Sequence, residues 1–286
     1  MYIYINQQFI KDTEATISPF DHGFLYGLGA FETFRVYKGF PFLLEDHLIR
    51  LQSAVDEMGI SYHIDSEEIK NILEQLLRLN QCTNEDVTVR LNISAGNGEV
   101  GKLLQTYDKP NLLCFIRKAP PLNKEEKDTV LLDIPRNTPE GPYRLKSHHY
   151  LNNILAKREI QKTPEKEGVF LTAEGYVAEG IISNIFWVSH QAVYTPAVET
   201  GILNGITRQF VIKCLRKLDV PVNEGFYTKE QLLEADEVIL TNSSQEILAV
   251  KKVNDYVFNG NDGIIVKKLR GLYDHYRKTL LSKDEL

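Results

Sequence analysis

Lys146, in the run PYRLKSHHYLNNILAKREI over 142–160, stands where a loop gives way to an expected helix. Pro139, Gly141 and Pro142 forbid helix upstream, while Leu151, Ile154 and Leu155 recur at helical spacing and Ser147 is placed to cap the first turn. An ammonium beside the positive end of a helix dipole is biased toward losing its proton, and a neutral lysine amine is what imine chemistry with a carbonyl compound needs. A solvated surface lysine is the plain alternative at such a position. Glu179, in VAEGIISNIFWVS, lies between Ala178 and Gly180 amid apolar neighbours. A carboxylate in that company must find a cation or a donor, because burying it bare is too costly. Two further stretches suit an anion. Asn204-Gly205-Ile206-Thr207 opens a helix, so the N–H groups of Ile206 and Thr207 and the Thr207 hydroxyl can form a cup, although an ordinary cap by Thr207 or Asn204 uses the same residues. Thr241-Asn242-Ser243-Ser244, at the carboxyl end of an apolar strand, is a second cluster of hydroxyl and amide donors.

The elements that must position these residues follow from the spacing of apolar positions. Residues 2–5 alternate as a strand, and SPFDHG at 18–23 reads as a loop broken by Pro19 and Gly23. GLGAFETFRVYKGFPFLL gives two β runs hinged at Lys38-Gly39. A helix is expected over 46–58, with Leu48, Leu51, Val55 and Met58 on its buried stripe and Arg50 off it, where a solvated arginine is the plain reading. A second helix over 66–80 buries Ile69, Ile72, Leu73, Leu76 and Leu77, after which Val87, Val89, Leu91 and Ile93 alternate on one strand face. Paired prolines make RKAPPLN at 117–123 a linker between an N-terminal α/β block, 1–116, and a C-terminal α/β block, 124–286, that carries Lys146. In the second block strands are expected at 130–134, 169–171, most of 177–189, and 237–240. Helices are expected over 204–218, with Phe210, Val211, Cys214, Leu215 and Leu218 inward, and over 266–281, with Leu269, Leu272, Tyr273 and Tyr276 on one side.

Composition narrows the classes. A chain of 286 residues, 43% hydrophobic and 25% charged, is long enough for two ordinary cores. A formal charge of -6 with no basic aromatic patch speaks against nucleic acid and for a small-molecule partner. Cys82, Cys114 and Cys214 stand apart with no C-x-x-C, so neither zinc nor a disulfide framework is expected, and a reducing compartment, the cytoplasm, fits. The opening MYIYINQQFIKD does not read as a signal peptide, no apolar stretch is long enough to span a bilayer, and KDEL at 283–286 reads as a charged helical ending. The loop from Gly96 to Lys102 matches G-x-G-x-x-G and the first seven positions of a Walker A motif. Leu103 stands where the Walker motif needs Ser or Thr, and Lys109-Pro110 leaves no room for the helix a dinucleotide fingerprint needs, so a loop joining two strands is expected. The 7 histidines form no H-E-x-x-H, no metal cluster is expected, and G-x-S-x-G is missing.

A lysine, an isolated carboxylate and two anion cups are together the parts of a pyridoxal phosphate site. The runs DHGFLYGLGAFETFRV, HLIRL, RLKSHHYLNNILAKRE, VAEGIISNIFW, GILNGITR and TNSSQEI resemble, in the same order and over nearly the whole chain, the fold-type IV pyridoxal phosphate enzymes. That family holds branched-chain and D-amino acid aminotransferases and the 4-amino-4-deoxychorismate lyases, and SPFDHGFLYG with RNTPEGPYRLKSHHYLNN is most similar to the lyases. The resemblance implies two α/β domains with the cofactor between them, in a homodimer whose partner subunit completes the pocket. It implies Lys146 as the Schiff-base lysine and Glu179 as the partner of the pyridine nitrogen. Arg50, Ile206, Thr207, Ser243 and Asn242 would hold the phosphate, and Arg35 would contact a substrate carboxylate, with a sheet-edge ion pair as its alternative. The activity implied is conversion of 4-amino-4-deoxychorismate to 4-aminobenzoate and pyruvate, with aminotransfer as the alternative. GNGEVGK lacks the arginine and histidine that D-amino acid aminotransferases carry there, and Ala95 stands where many relatives of the lyase have arginine.

Overall fold

The computed structural model describes residues 1–102, 105–122 and 124–286; Leu103, Leu104 and Asn123, the last ending the expected linker, lie outside them. The chain divides into two compact units, one of Met1–Pro120, Leu145–His149 and Arg277–Glu285, the other of Pro121–Arg144, Tyr150–Tyr276 and Leu286. Both mix helix and sheet, as the sequence predicts. Lys146 falls in the first unit, whereas a division at 117–123 places it in the second.

In the first unit the strands are β1 (Tyr2–Ile5), β2 (Gln8–Lys11), β3 (Gly29–Tyr37), β4 (Phe40–Pro41), β5 (Asp86–Ser94) and β6 (Asn111–Lys118). They form a six-stranded sheet in the order β2-β1-β6-β5-β3-β4. The alternation at 87–93 does what it promises. Val87, Val89, Leu91 and Ile93 face a core shared with Leu48, Leu51 and Val55 of α2 (Leu44–Glu57) and Ile69, Ile72, Leu73, Leu76 and Leu77 of α3 (Ser66–Leu79). Each such side chain stabilises by roughly 1.5–3 kcal/mol when fully buried. Asp65 caps α3 by accepting from Glu67 N–H and Glu68 N–H, and Gly59, at φ 67°, turns the chain out of α2. Two expectations fail here. The stretch read as loop contains a short helix, α1 (His22–Tyr26), because Asp21 caps it through Gly23 N–H, so the glycine starts structure instead of breaking it. Lys146 does not stand at a helix mouth either. Its carbonyl accepts from Phe31 N–H (2.9 Å), and His148 N–H donates to Gly29 O (2.9 Å), so 145–149 is extended chain bridged to β3. The Ser147 hydroxyl accepts from His149 N–H instead of capping a helix.

In the second unit β7 (Lys127–Leu131), β8 (Glu167–Leu171), β9 (Val177–Gly180), β10 (Asn184–Ser189), β11 (Ala192–Pro196), β12 (Val222–Gly225), β13 (Glu237–Asn242), β14 (Glu246–Val253) and β15 (Tyr256–Val257) build a nine-stranded sheet. Its order is β12-β11-β10-β13-β14-β7-β8-β9, with β15 paired to β14. The unit's helices are α4 (Leu151–Glu159), α5 (Ile206–Lys217), α6 (Lys229–Leu233) and α7 (Ile264–Tyr276). α5 buries Phe210, Val211, Cys214 and Leu215 as its pattern predicts. α4 does not follow its pattern: Leu151, Ile154 and Leu155 are exposed, and Asn153 and Ala156 are buried. α7 ends at Tyr276, earlier than its pattern suggests, and Arg277–Glu285 belongs to the first unit, where Lys283 pairs with Asp46 of α2 (2.6 Å). Among the described residues no helix is long and apolar enough to cross a membrane, and no group of three His, Cys, Asp or Glu could hold a metal.

Candidate active site

The first unit sets Lys146 over an aromatic ring and an arginine on a buried carboxylate. In β3 successive side chains alternate between faces, so Ala30, Glu32 and Phe34 look toward α2 while Phe31, Thr33 and Arg35 look away. Ala30 is bridged to Ser147, so Lys146 and His148 share the Phe31 side of the sheet. Lys146 Nζ lies 4.7 Å from the Phe31 ring centroid and Arg90 Cζ lies 3.6 Å from it, so the ring carries two cations.

Arg50 is no solvated arm. Its Nε donates to Glu32 Oε1 and its Nη2 to Glu32 Oε2, both at 2.7 Å, and His47 Nδ1 donates to the same Oε2 at 2.6 Å. Glu32 is fully buried. Burial pushes its carboxyl up, but Arg50, followed by His47, more than reverses that and holds it at about 2. Burial drives the His47 imidazole below its ordinary value against the pull of the Glu32 carboxylate. Arg50 is therefore oriented by Glu32. The sequence reading missed Glu32, although GAFETF carried the same signal as Glu179, a carboxylate in an apolar strand. Arg35 is buried, with Nη2 on Pro120 O (2.9 Å) and its guanidinium 5.6 Å from the Tyr37 ring centroid.

The second unit assembles around Glu179, buried on β9 as expected. Its Oε1 accepts from Arg136 Nε (2.8 Å), with Arg144 Nε at 3.8 Å. Its Oε2 accepts from Leu203 N–H (3.0 Å) and Asn184 Nδ2 (3.4 Å). Arg136 is itself held by Asn152 Oδ1 (2.7 Å) and Asn153 Oδ1 (3.2 Å) at the start of α4. Arg144 is pushed down to about 10 by burial and by Arg136, against the pull of Glu179 and Glu140. Neither arginine was singled out in the sequence, because both lie in a proline-rich loop with no periodicity to flag them.

The two anion cups meet. Gly205 is the N-cap of α5, with no side-chain cap, so the alternative of an ordinary cap by Thr207 or Asn204 is not taken up. A Cβ at Gly205 would collide with Asn184 Oδ1, so only glycine lets the helix start this close to β10. Thr207 and Ser243 hydroxyls lie 3.2 Å apart, and Thr241 Oγ1 is buried with no hydrogen-bond partner among the described residues. Asn242 shapes the turn: its Oδ1 accepts from Ser244 N–H (2.9 Å) and Gln245 N–H (2.7 Å). An uncapped helix start with two adjoining hydroxyls fits a phosphate, a buried carboxylate fits a protonated pyridine nitrogen, and an amine on a segment bridged to β3 fits an aldehyde carbon. Each unit thus carries groups that suit a part of pyridoxal phosphate. The glycine loop leads to no helix among the described residues, as Lys109-Pro110 predicts; Gly98 N–H donates to Phe20 O.

Comparison with known proteins agrees with this chemistry. The family model for amino-transferase class IV matches residues 29–253. The chain is 47% identical over 280 residues to aminodeoxychorismate lyase of Bacillus subtilis (strain 168), covering 98% of this chain and 96% of that one. Among solved structures, a candidate 4-amino-4-deoxychorismate lyase from Legionella pneumophila superposes with a TM-score of 0.84 at 28% identity, covering 92% of this chain and 96% of that one. The PLP-form of a branched-chain amino acid aminotransferase from Thermobaculum terrenum superposes with a TM-score of 0.84 at 26% identity, covering 96% and 92%.

Proposed function

The chain belongs to the class IV aminotransferase family, and from that premise we propose that it is a pyridoxal phosphate-dependent lyase converting 4-amino-4-deoxychorismate to 4-aminobenzoate and pyruvate. The observation that carries this reading over aminotransfer is the full-length likeness to the Bacillus subtilis lyase. When bound, pyridoxal phosphate draws electrons from the carbon bearing the substrate's amine and makes its proton removable. The chain's own residues do the rest. Lys146 Nζ would hold the cofactor and, once freed by the substrate amine, would be the base that takes the proton from the amine-bearing carbon. Enolpyruvate departs and picks up a proton to become pyruvate, while the remaining ring becomes aromatic, so no second strong base is needed. Glu179, held by Arg136 Nε, would pair with the pyridine nitrogen and keep a proton there. Ile206 and Thr207 N–H groups, the Thr207 and Ser243 hydroxyls and Arg50 take the phosphate, with Asn242 acting through the turn it shapes. Arg35 is assigned to a substrate carboxylate.

The same reading includes a cytoplasmic homodimer whose partner subunit completes the pocket; exposed Phe20, Phe24, Leu151 and Ile154 supply apolar surface for such pairing. The alternative within the family is a branched-chain or D-amino acid aminotransferase. Incubation with aminodeoxychorismate and no keto acid separates them. The lyase releases pyruvate; turnover only when a keto acid is added identifies an aminotransferase.

A further inference from the structure

We propose that His148 is the positioning residue for Lys146, its side chain locking the 145–149 segment onto β3 and β5. The inference rests on the reading of Lys146 as the reacting amine. Two backbone hydrogen bonds, Phe31 N–H to Lys146 O and His148 N–H to Gly29 O, pair the segment with β3, and so short a pairing is weak by itself for holding a lysine in register. Side chains must add the rest. Leu145 packs on the core from the opposite face. On the Lys146 face, His148 Nε2 lies 3.0 Å from Asn92 Oδ1 of β5, and its ring stacks at 26° on Phe31, the ring that also carries Lys146 Nζ.

The fold makes room for this ring. A Cβ on Gly29 would lie 2.6 Å from His148 Nδ1, so no other residue at 29 tolerates the imidazole there. Gly27, at φ 71°, likewise would bring a Cβ within 2.6 Å of His149 Cδ2. Both glycines thus admit the histidines that follow the lysine. Burial and Arg90, followed by His149, lower the His148 pKa against the opposing pull of Asp21. Facing the Asn92 carbonyl oxygen, Nε2–H is the donor of that contact. With that nitrogen engaged, His148 acts through Lys146 and is no second base.

The test uses the full-length protein and the variants H148A, H148Q and N92A, with the variant G29A as a steric control. Without cofactor, hydrogen exchange of the 145–150 peptide should speed up in H148A and N92A while β5 and α2 peptides keep their protection. With pyridoxal phosphate, H148A should lower kcat roughly 10- to 100-fold with KM nearly unchanged, and should move the midpoint of the pH titration of the cofactor's absorbance. H148Q, whose amide can still donate to Asn92, should restore much of both, and G29A should behave like H148A. Parental exchange at 145–150 in H148A, or parental kcat and absorbance midpoint, overturns the proposal, as does loss of protection spread evenly over the unit. If no variant, nor the parent, takes up the cofactor, the assignment of function falls, while the exchange experiment still decides whether His148 holds the segment.

Discussion

Two buried glutamates, each on a strand and each paired with arginine, are built by opposite routes. Glu32 takes its partners from a single neighbouring helix, accepting from Arg50 and His47 of α2. Glu179 draws on four separate stretches of chain, Arg136, Arg144, Asn184 and the Leu203 N–H, and one of its oxygens is held only by neutral donors. The first arrangement is an anchor that fixes an arginine. The second is a carboxylate whose partners come from several stretches of chain, with an oxygen on neutral donors, which suits a group that must share its charge with a ligand.

Substitution at the two sites should therefore be felt in different measurements. E32A removes the buried carboxylate that Arg50 and His47 share and should destabilise the protein by about 3–5 kcal/mol in denaturant titration. Unchanged stability would reduce the triad to a bystander. E179Q should leave the fold intact but lower kcat roughly 10²- to 10³-fold, as removal of an electrostatic partner does; the check is steady-state pyruvate release beside an unchanged unfolding curve. The acid limb supplies a third comparison. Glu32 is held at about 2 against an ordinary 4.5, so its contribution is complete above the unfolded value and is lost as pH falls from about 4.5 toward 2. That depression corresponds to roughly 3 kcal/mol at neutral pH. Stability measured between pH 6 and 2 should fall less steeply in E32Q than in the parent. The smallest effect belongs to the cup: T207A or S243A should weaken pyridoxal phosphate binding roughly tenfold, read by equilibrium dialysis, with kcat at saturating cofactor close to parental.

The same contrast explains what the sequence disclosed. Local periodicity carried the first unit's core, since the 87–93 alternation and the α2 and α3 stripes each depend on residues near one another in the chain. It also flagged Glu179, by the cost of a lone carboxylate among apolar neighbours. The partners of Glu179 were out of reach, because Arg136 and Arg144 sit in a loop whose only local signal is proline. Lys146 was picked out but given the wrong surroundings: its register is set by pairing between residues 30 and 147, which no window of sequence contains. The apolar spacing that suggested a helix start does mark a helix, but α4 begins at Leu151, and the dipole's influence fades within the first turn.

The account depends above all on a covalent attachment at Lys146. Protein purified with pyridoxal phosphate, reduced with borohydride and digested should yield one pyridoxyl-modified peptide, mapped by mass spectrometry to the lysine of RLKSHHY. Modification of a different lysine, or of none, would contradict it.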